Sequence, residues 1–185
     1  MAHDIMPFIT GSGGPRVRFA PLNASESFRE GALVFVNSDG ELAEFPADDT
    51  QALISDISGT GILGGIAAMD GDTTRTDGFA RSTGDLISYY PWNDGTLFIT
   101  KNFFTAGDPD TLLIPSGTVV GEDWQITNQN ASDIWGVENT AGVQGTDVRA
   151  IVHSVLNSRR QPIAASDTTT GVWVVFEIQA GTEAA

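Results

Sequence analysis

Apolar and polar residues in this chain repeat with the period of a strand far more often than with that of a helix. The last segment is the clearest case. Val172, Val174, Phe176 and Ile178 form one wholly apolar face. Trp173 and Val175 begin the other face, which turns polar at Glu177 and Gln179. An inner strand with one wet end is expected there. Ala32–Val36 is a continuous apolar strand and Glu41–Phe45 an alternating one, with Ser38-Asp39-Gly40 between them as a hairpin turn. Ile62–Met69 reads as a short buried strand ended by Asp70-Gly71-Asp72. Gly78–Arg81, Asp85–Tyr90 and Thr96–Thr100 follow, separated by Gly, Asp and Asn turns. Thr118–Val120, Trp124–Thr127, Ile134–Val137 and Val148–Leu156 complete the set. Residues 105–117 read as a loop, and Gln51–Ile54 as a short helix capped from Pro46–Thr50 or as a strand.

About ten short strands bounded by turn residues predict an all-β chain, a single β-barrel or β-sandwich domain of short antiparallel strands. Residues 1–22 predict an extended N-terminal arm, because Gly11, Ser12, Gly13 and Gly14 are followed by Pro15 and Pro21 with only short apolar patches. The domain then covers residues 23–180, and residues 181–185 form a flexible tail. A length of 185 residues suits one domain with a real core.

Composition supports the strands. Only 18% of residues are charged and 21 are Gly, which is poor material for exposed helices. There are no cysteines, so disulfides and thiolate metal sites are excluded. The net charge is −15, from 24 acids against nine bases. That balance argues against nucleic acid as a partner and against an anionic membrane surface. The charge is uneven: residues 30–147 hold three bases and 19 acids, while both ends are near neutral. Eight of the nine bases are Arg, and Lys101 alone is Lys, a bias that fits interfaces as well as a GC-rich genome. The opening MAHDIMPFITGSGG lacks a basic n-region and an apolar h-region, and no run is long enough to span a bilayer, so a soluble chain without a classical secretion signal is expected.

Candidate chemistry is thin. Gly59-Thr60-Gly61-Ile62-Leu63-Gly64 matches a dinucleotide fingerprint, but that site needs a helix beginning at the glycines, and Asp70-Gly71-Asp72 stops any helix within two turns. A Gly-rich turn into a strand is expected instead. Asp70-Gly71-Asp72 and Asp108-Pro109-Asp110 read as turn formers, with adventitious calcium binding the sharper alternative. His153 lies on the polar face of a strand, and neither a nucleophile elbow nor a metal-binding histidine pair accompanies it. A Ser–His–Asp set around it and a glycosidase carboxylate pair are the enzymatic alternatives, although nothing singles out two of the 24 acids. No catalytic residue, cofactor or metal ligand is assigned, and the chain reads as a non-enzyme. Tyr89-Tyr90-Pro91-Trp92 is either core packing or a platform for sugars. Arg159-Arg160, Arg16 and Arg18 are either solvated or anchors for an acidic partner.

The run ESFREGALVFVNSDGELAEF, from Glu26 to Phe45, resembles the opening of small β-barrel capsid decoration (cement) proteins of tailed bacteriophages. Gly61–Ala67 resembles their strand of pattern h-h-G-h-A, where h is an apolar residue, and Asp147–His153 a late core strand. The resemblance implies a virion structural protein on the capsid exterior. It would bind the shell, bridge neighbouring major capsid protein subunits and stabilise the expanded head, as a homotrimer at three-fold positions. The shell contacts expected are Phe8, Arg16, Arg18 and Phe19 of the arm, with Arg159 and Arg160. The alternative is a carbohydrate-binding or receptor-binding β-module, resting on the Tyr89–Trp92 cluster and the Asp-rich turns.

Overall fold

The computed structural model describes residues 5–8, 14–46, 52, 57, 61–76, 79–129, 134–142 and 147–180. The described residues are all-β: they carry sixteen strands, one 3-10 turn at Gly117–Val119 and no α-helix. Five strands make the second sheet in the order β2 (Arg18–Pro21), β8 (Leu86–Pro91), β6 (Ile62–Ala67), β4 (Leu33–Val36) and β5 (Leu42–Glu44). Nine make the first. Its path runs β1 (Ile5–Pro7), β9 (Leu97–Thr100), β16 (Trp173–Gln179), β14 (Arg149–Leu156), β12 (Asp123–Gln129), β13 (Ile134–Ala141), β10 (Phe103–Thr105) and β11 (Asp108–Leu112), with β15 (Pro162–Ile163) beside β14. A small ribbon pairs β3 (Ser27–Phe28) with β7 (Gly71–Asp72). The pairings are antiparallel apart from β10 with β13.

The two large sheets share one core, which gives the sandwich-like arrangement expected of many short alternating strands. The first sheet sends in Phe98, Phe103, Trp124, Trp135 and Phe176, and the second sends in Leu33, Leu42, Ile66 and Ile87. Phe103 and Trp124 stack at 4.7 Å between centroids, and Phe98 lies across from Phe176 at 6.2 Å. Full burial of each such side chain stabilises the fold by about 1.5–3 kcal/mol. Strand β16 lies between β9 and β14, so it is an inner strand. Val174, Phe176 and Ile178 point into the core, as their spacing predicts, while Val172 precedes the strand and stays 37% exposed.

The extended N-terminal segment is laid onto both sheets. Strand β1 pairs with β9 and buries Ile5 in the common core. Strand β2 pairs with β8. Leu22 follows it, donates its N–H to Asp85 and bridges Leu42 of β5, so the two ends of the second sheet meet at this residue. Further expectations change. The loop at 105–117 contains β11, and the strand expected at Thr118–Val120 is the 3-10 turn. The helix-or-strand segment Gln51–Ile54 lies outside the described residues except for Ala52, which is fully buried and bonds Ile126 and Val148. No strand forms at Phe79–Arg81, and Gly78 lies outside the described residues.

Candidate interaction surfaces

The shell-contact residues expected from the sequence fall into two groups on different sheets. The first is β2 and its approach. Arg16 and Arg18 are exposed, Val17 is 42% exposed and Phe19 is 63% exposed. Pro21 closes the strand, a position open to proline because β2 is an edge strand. Among the described residues β2 pairs only with β8, so its far side keeps unpaired backbone donors and acceptors. Phe19 stands opposite Ser88, and Pro21 opposite Leu86. Phe19 and Leu86 therefore share one face, and Leu86 is itself largely exposed. The result is a basic and apolar edge on a molecule of net charge −15.

The second group sits on the outer face of the first sheet. Ile99, Leu156 and Val175 are buried there, away from the main core, with Met6, Phe8, Leu97 and Trp173 packed around them. Phe8 continues β1, and its N–H donates to the Leu97 carbonyl at 2.7 Å. The Lys101 ammonium lies 4.3 Å from the centre of the Trp173 ring, and the Arg160 guanidinium 4.9 Å. Each distance is within cation–π range. A tight turn delivers Arg160: the Asn157 side-chain oxygen accepts the N–H groups of Arg159 and Gln161, and the Asn157 carbonyl accepts that of Arg160. Phe8 and Arg160 thus serve one cluster, and Arg159 stays exposed at the turn. Arg16, Arg18 and Phe19 belong to the other sheet.

The remaining candidates take structural roles. Gly61 leads into β6 and Gly64 and Gly65 lie within it, so the described part of the dinucleotide-like run is strand; Gly59 and Thr60 lie outside the described residues. Asp70 accepts the Glu30 N–H and pairs with Arg75 at 2.8 Å. Asp72 accepts both the N–H and the hydroxyl of Thr74 at 2.7 Å. Desolvation works against ionisation of Asp72, but the Thr74 hydrogen bonds and the nearby Arg75 charge outweigh it and hold the carboxyl below its ordinary value. His153 faces Glu177 across the β14–β16 pair at 3.2 Å, with both side chains substantially exposed. Arg149 is buried, ion-paired to Asp123 and bonded to Gln179.

The aromatic cluster is turned inward. Tyr89 is buried, and Trp92 is half-buried with its indole N–H donated to the Leu63 carbonyl at 3.0 Å. Tyr90 is half-buried, and desolvation, helped by the charge of Glu30, pushes its phenol up. Tyr90 and Trp92 are packed against the main core, as the core-packing reading expects. Sequence reasoning missed Val17 and Leu86, because nothing local shows which face of an alternating strand will lack a cover. Comparison with family models, with characterised proteins and with solved structures returns no match, so these surfaces are read from their own geometry.

Proposed function

We propose that this chain is a non-catalytic virion structural protein that binds the exterior of a tailed-phage capsid shell. It bridges neighbouring major capsid protein subunits and stabilises the expanded head, as a homotrimer. The observation that carries the reading is the β2 edge, where Arg16, Val17, Arg18 and Phe19 are all exposed on an otherwise acidic body. Arg18, Pro21 and the shortness of β2 blunt it against backbone pairing, so its exposed side chains would make the contact. Arginine supplies planar contacts to a partner's carboxylates, and aromatic side chains supply the apolar anchor. The acidic remainder keeps free copies apart in solution. Many such modest contacts, repeated by the symmetry of a shell, add up through avidity.

Co-sedimentation with expanded shells lacking the protein, beside unexpanded shells, tests this. Saturable binding to the expanded form, near about one trimer per three-fold position, is expected. Deleting residues 1–22 is a poor probe, since Ile5, Ala20 and Leu22 belong to the core. Arg16→Glu with Phe19→Ala is the better variant, because both side chains are exposed. It should keep the melting temperature and lose the shell. Absence of binding to either shell form by the unaltered protein would overturn the reading.

A further inference from the structure

A second feature stands apart from the β2 edge and does not depend on the shell-binding reading. Between residues 30 and 147 the only bases are Arg75, Arg81 and Lys101, against 19 acids. Two of these three line a single open cavity of about 600 Å³, with Glu30, Met69, Asp70 and Phe79 among its other walls. That volume lies within the usual range for organic ligands. A chain so short of cations gathers two of them around one hollow, where two acids offset them among the described residues.

The walls differ in kind. Phe79 is 75% exposed, the highest value among the exposed large apolar side chains described. Arg81 is anchored by its backbone, whose N–H donates to the Asp72 carbonyl at 2.9 Å. Its half-buried guanidinium makes no hydrogen bond or ion pair among the described residues. Asp70 is fixed by the Glu30 N–H and by Arg75, so one carboxylate wall is held in place. The cavity therefore offers an aromatic face, a guanidinium fork uncommitted among the described residues, and carboxylate acceptors together.

Few ligands use all three. A purely apolar molecule would leave four charged groups without new partners. A bare phosphate or carboxylate would leave Phe79 in water. A polyacidic peptide would meet Arg81 but bring no hydroxyl donors to Glu30 and Asp70. An acidic sugar satisfies each wall: its carboxylate takes the fork of Arg81, its hydroxyls donate to Glu30 and Asp70, and its C–H face stacks on Phe79. We propose that this cavity binds saccharides of the hexuronate class, with Phe79 as the stacking platform and Arg81 as the carboxylate anchor.

The test is titration of the full chain with tetragalacturonate at low salt, followed by calorimetry, with maltotetraose and hexaglutamate in parallel. Saturable binding of tetragalacturonate, about tenfold tighter than maltotetraose, is expected from one charge-assisted contact. Phe79→Ala should abolish binding to both sugars. Arg81→Gln should remove the preference for the acidic sugar while leaving residual binding. Both variants should melt as the unaltered protein does, because neither side chain is buried. No saturable binding to either sugar would overturn the proposal. So would binding that both variants retain, or binding of hexaglutamate in place of the sugars.

Discussion

The indole N–H of Trp135, in the first sheet, donates to the Glu44 carboxylate of the second sheet at 2.9 Å. Trp135 is fully buried, so this polar link crosses the edge of the core. Trp135→Phe keeps most of the apolar volume and removes the donor. It should cost about 1.5–3 kcal/mol, the range for losing a hydrogen bond to a charged group. Glu44→Gln keeps a side-chain oxygen to accept the bond and should cost less. Urea midpoints of the two variants, with unchanged slopes, would show the difference.

The outer cluster of the first sheet is predicted to be held down by its cations. Lys101→Met and Arg160→Met should each lower stability by about 0.5–1 kcal/mol. In a Trp173→Leu background either change should have almost no effect. A double-mutant cycle by chemical denaturation measures this coupling. Full additivity would show that the ring and the cations are only neighbours.

Gly65 lies inside β6 at a φ of 141°, and a Cβ there would collide with the Tyr90 carbonyl of β8. Gly65→Ala must therefore strain the backbone and part the two strands. A loss above about 1 kcal/mol is expected. Gly40, at φ 82° in the Asn37–Glu41 turn, has open space around it, so Gly40→Ala carries only the conformational term. Gly65→Ala should show the larger fall in melting temperature of the two.

Asp72 and Asp167 both have carboxyls held below the ordinary value of 3.8. For Asp167 the cause is the side-chain hydrogen bond from Thr169, then the one from its backbone, set against desolvation. A lowered folded pKa contributes stability that is present above the unfolded value and is lost as pH falls through the folded one. Thr74→Ala should therefore lower stability at pH 7, and that deficit should disappear as pH falls from the ordinary value of 3.8 through the lowered folded one. Tyr90 runs the other way. Its raised phenol adds a loss of stability as pH rises past about 10, which Tyr90→Phe should remove. Thermal unfolding across pH checks both limbs.

Some of this fold was legible residue by residue. The β4–β5 hairpin could be read because its turn is local: the Asn37 side-chain oxygen takes the N–H groups of Asp39 and Glu41, and Gly40 supplies the positive φ. Strand β16 could be read because its apolar face repeats every second residue. The candidate surface was legible only in part. Arg16, Arg18 and Phe19 remain exposed, whereas Phe8 and Arg160 are drawn into the cluster around Trp173. For Tyr89 and Trp92 the sequence left core packing and a sugar platform both open, since an aromatic run has the same sequence whether or not it is covered; the structure buries Tyr89 and half-buries Trp92.

By itself the sequence determined the all-β character, the acidic body, the absence of thiol chemistry and the main hairpin, since each depends on composition or on neighbours a few residues apart. The tertiary structure alone decided that β1 pairs with β9 and β2 with β8, that Leu22 bridges Leu42, and that Arg75 and Arg81 meet Glu30 at one cavity. Those partners are distant along the chain. Which strand edges and faces are covered depends on how all the apolar faces are buried at once, a choice no local window contains.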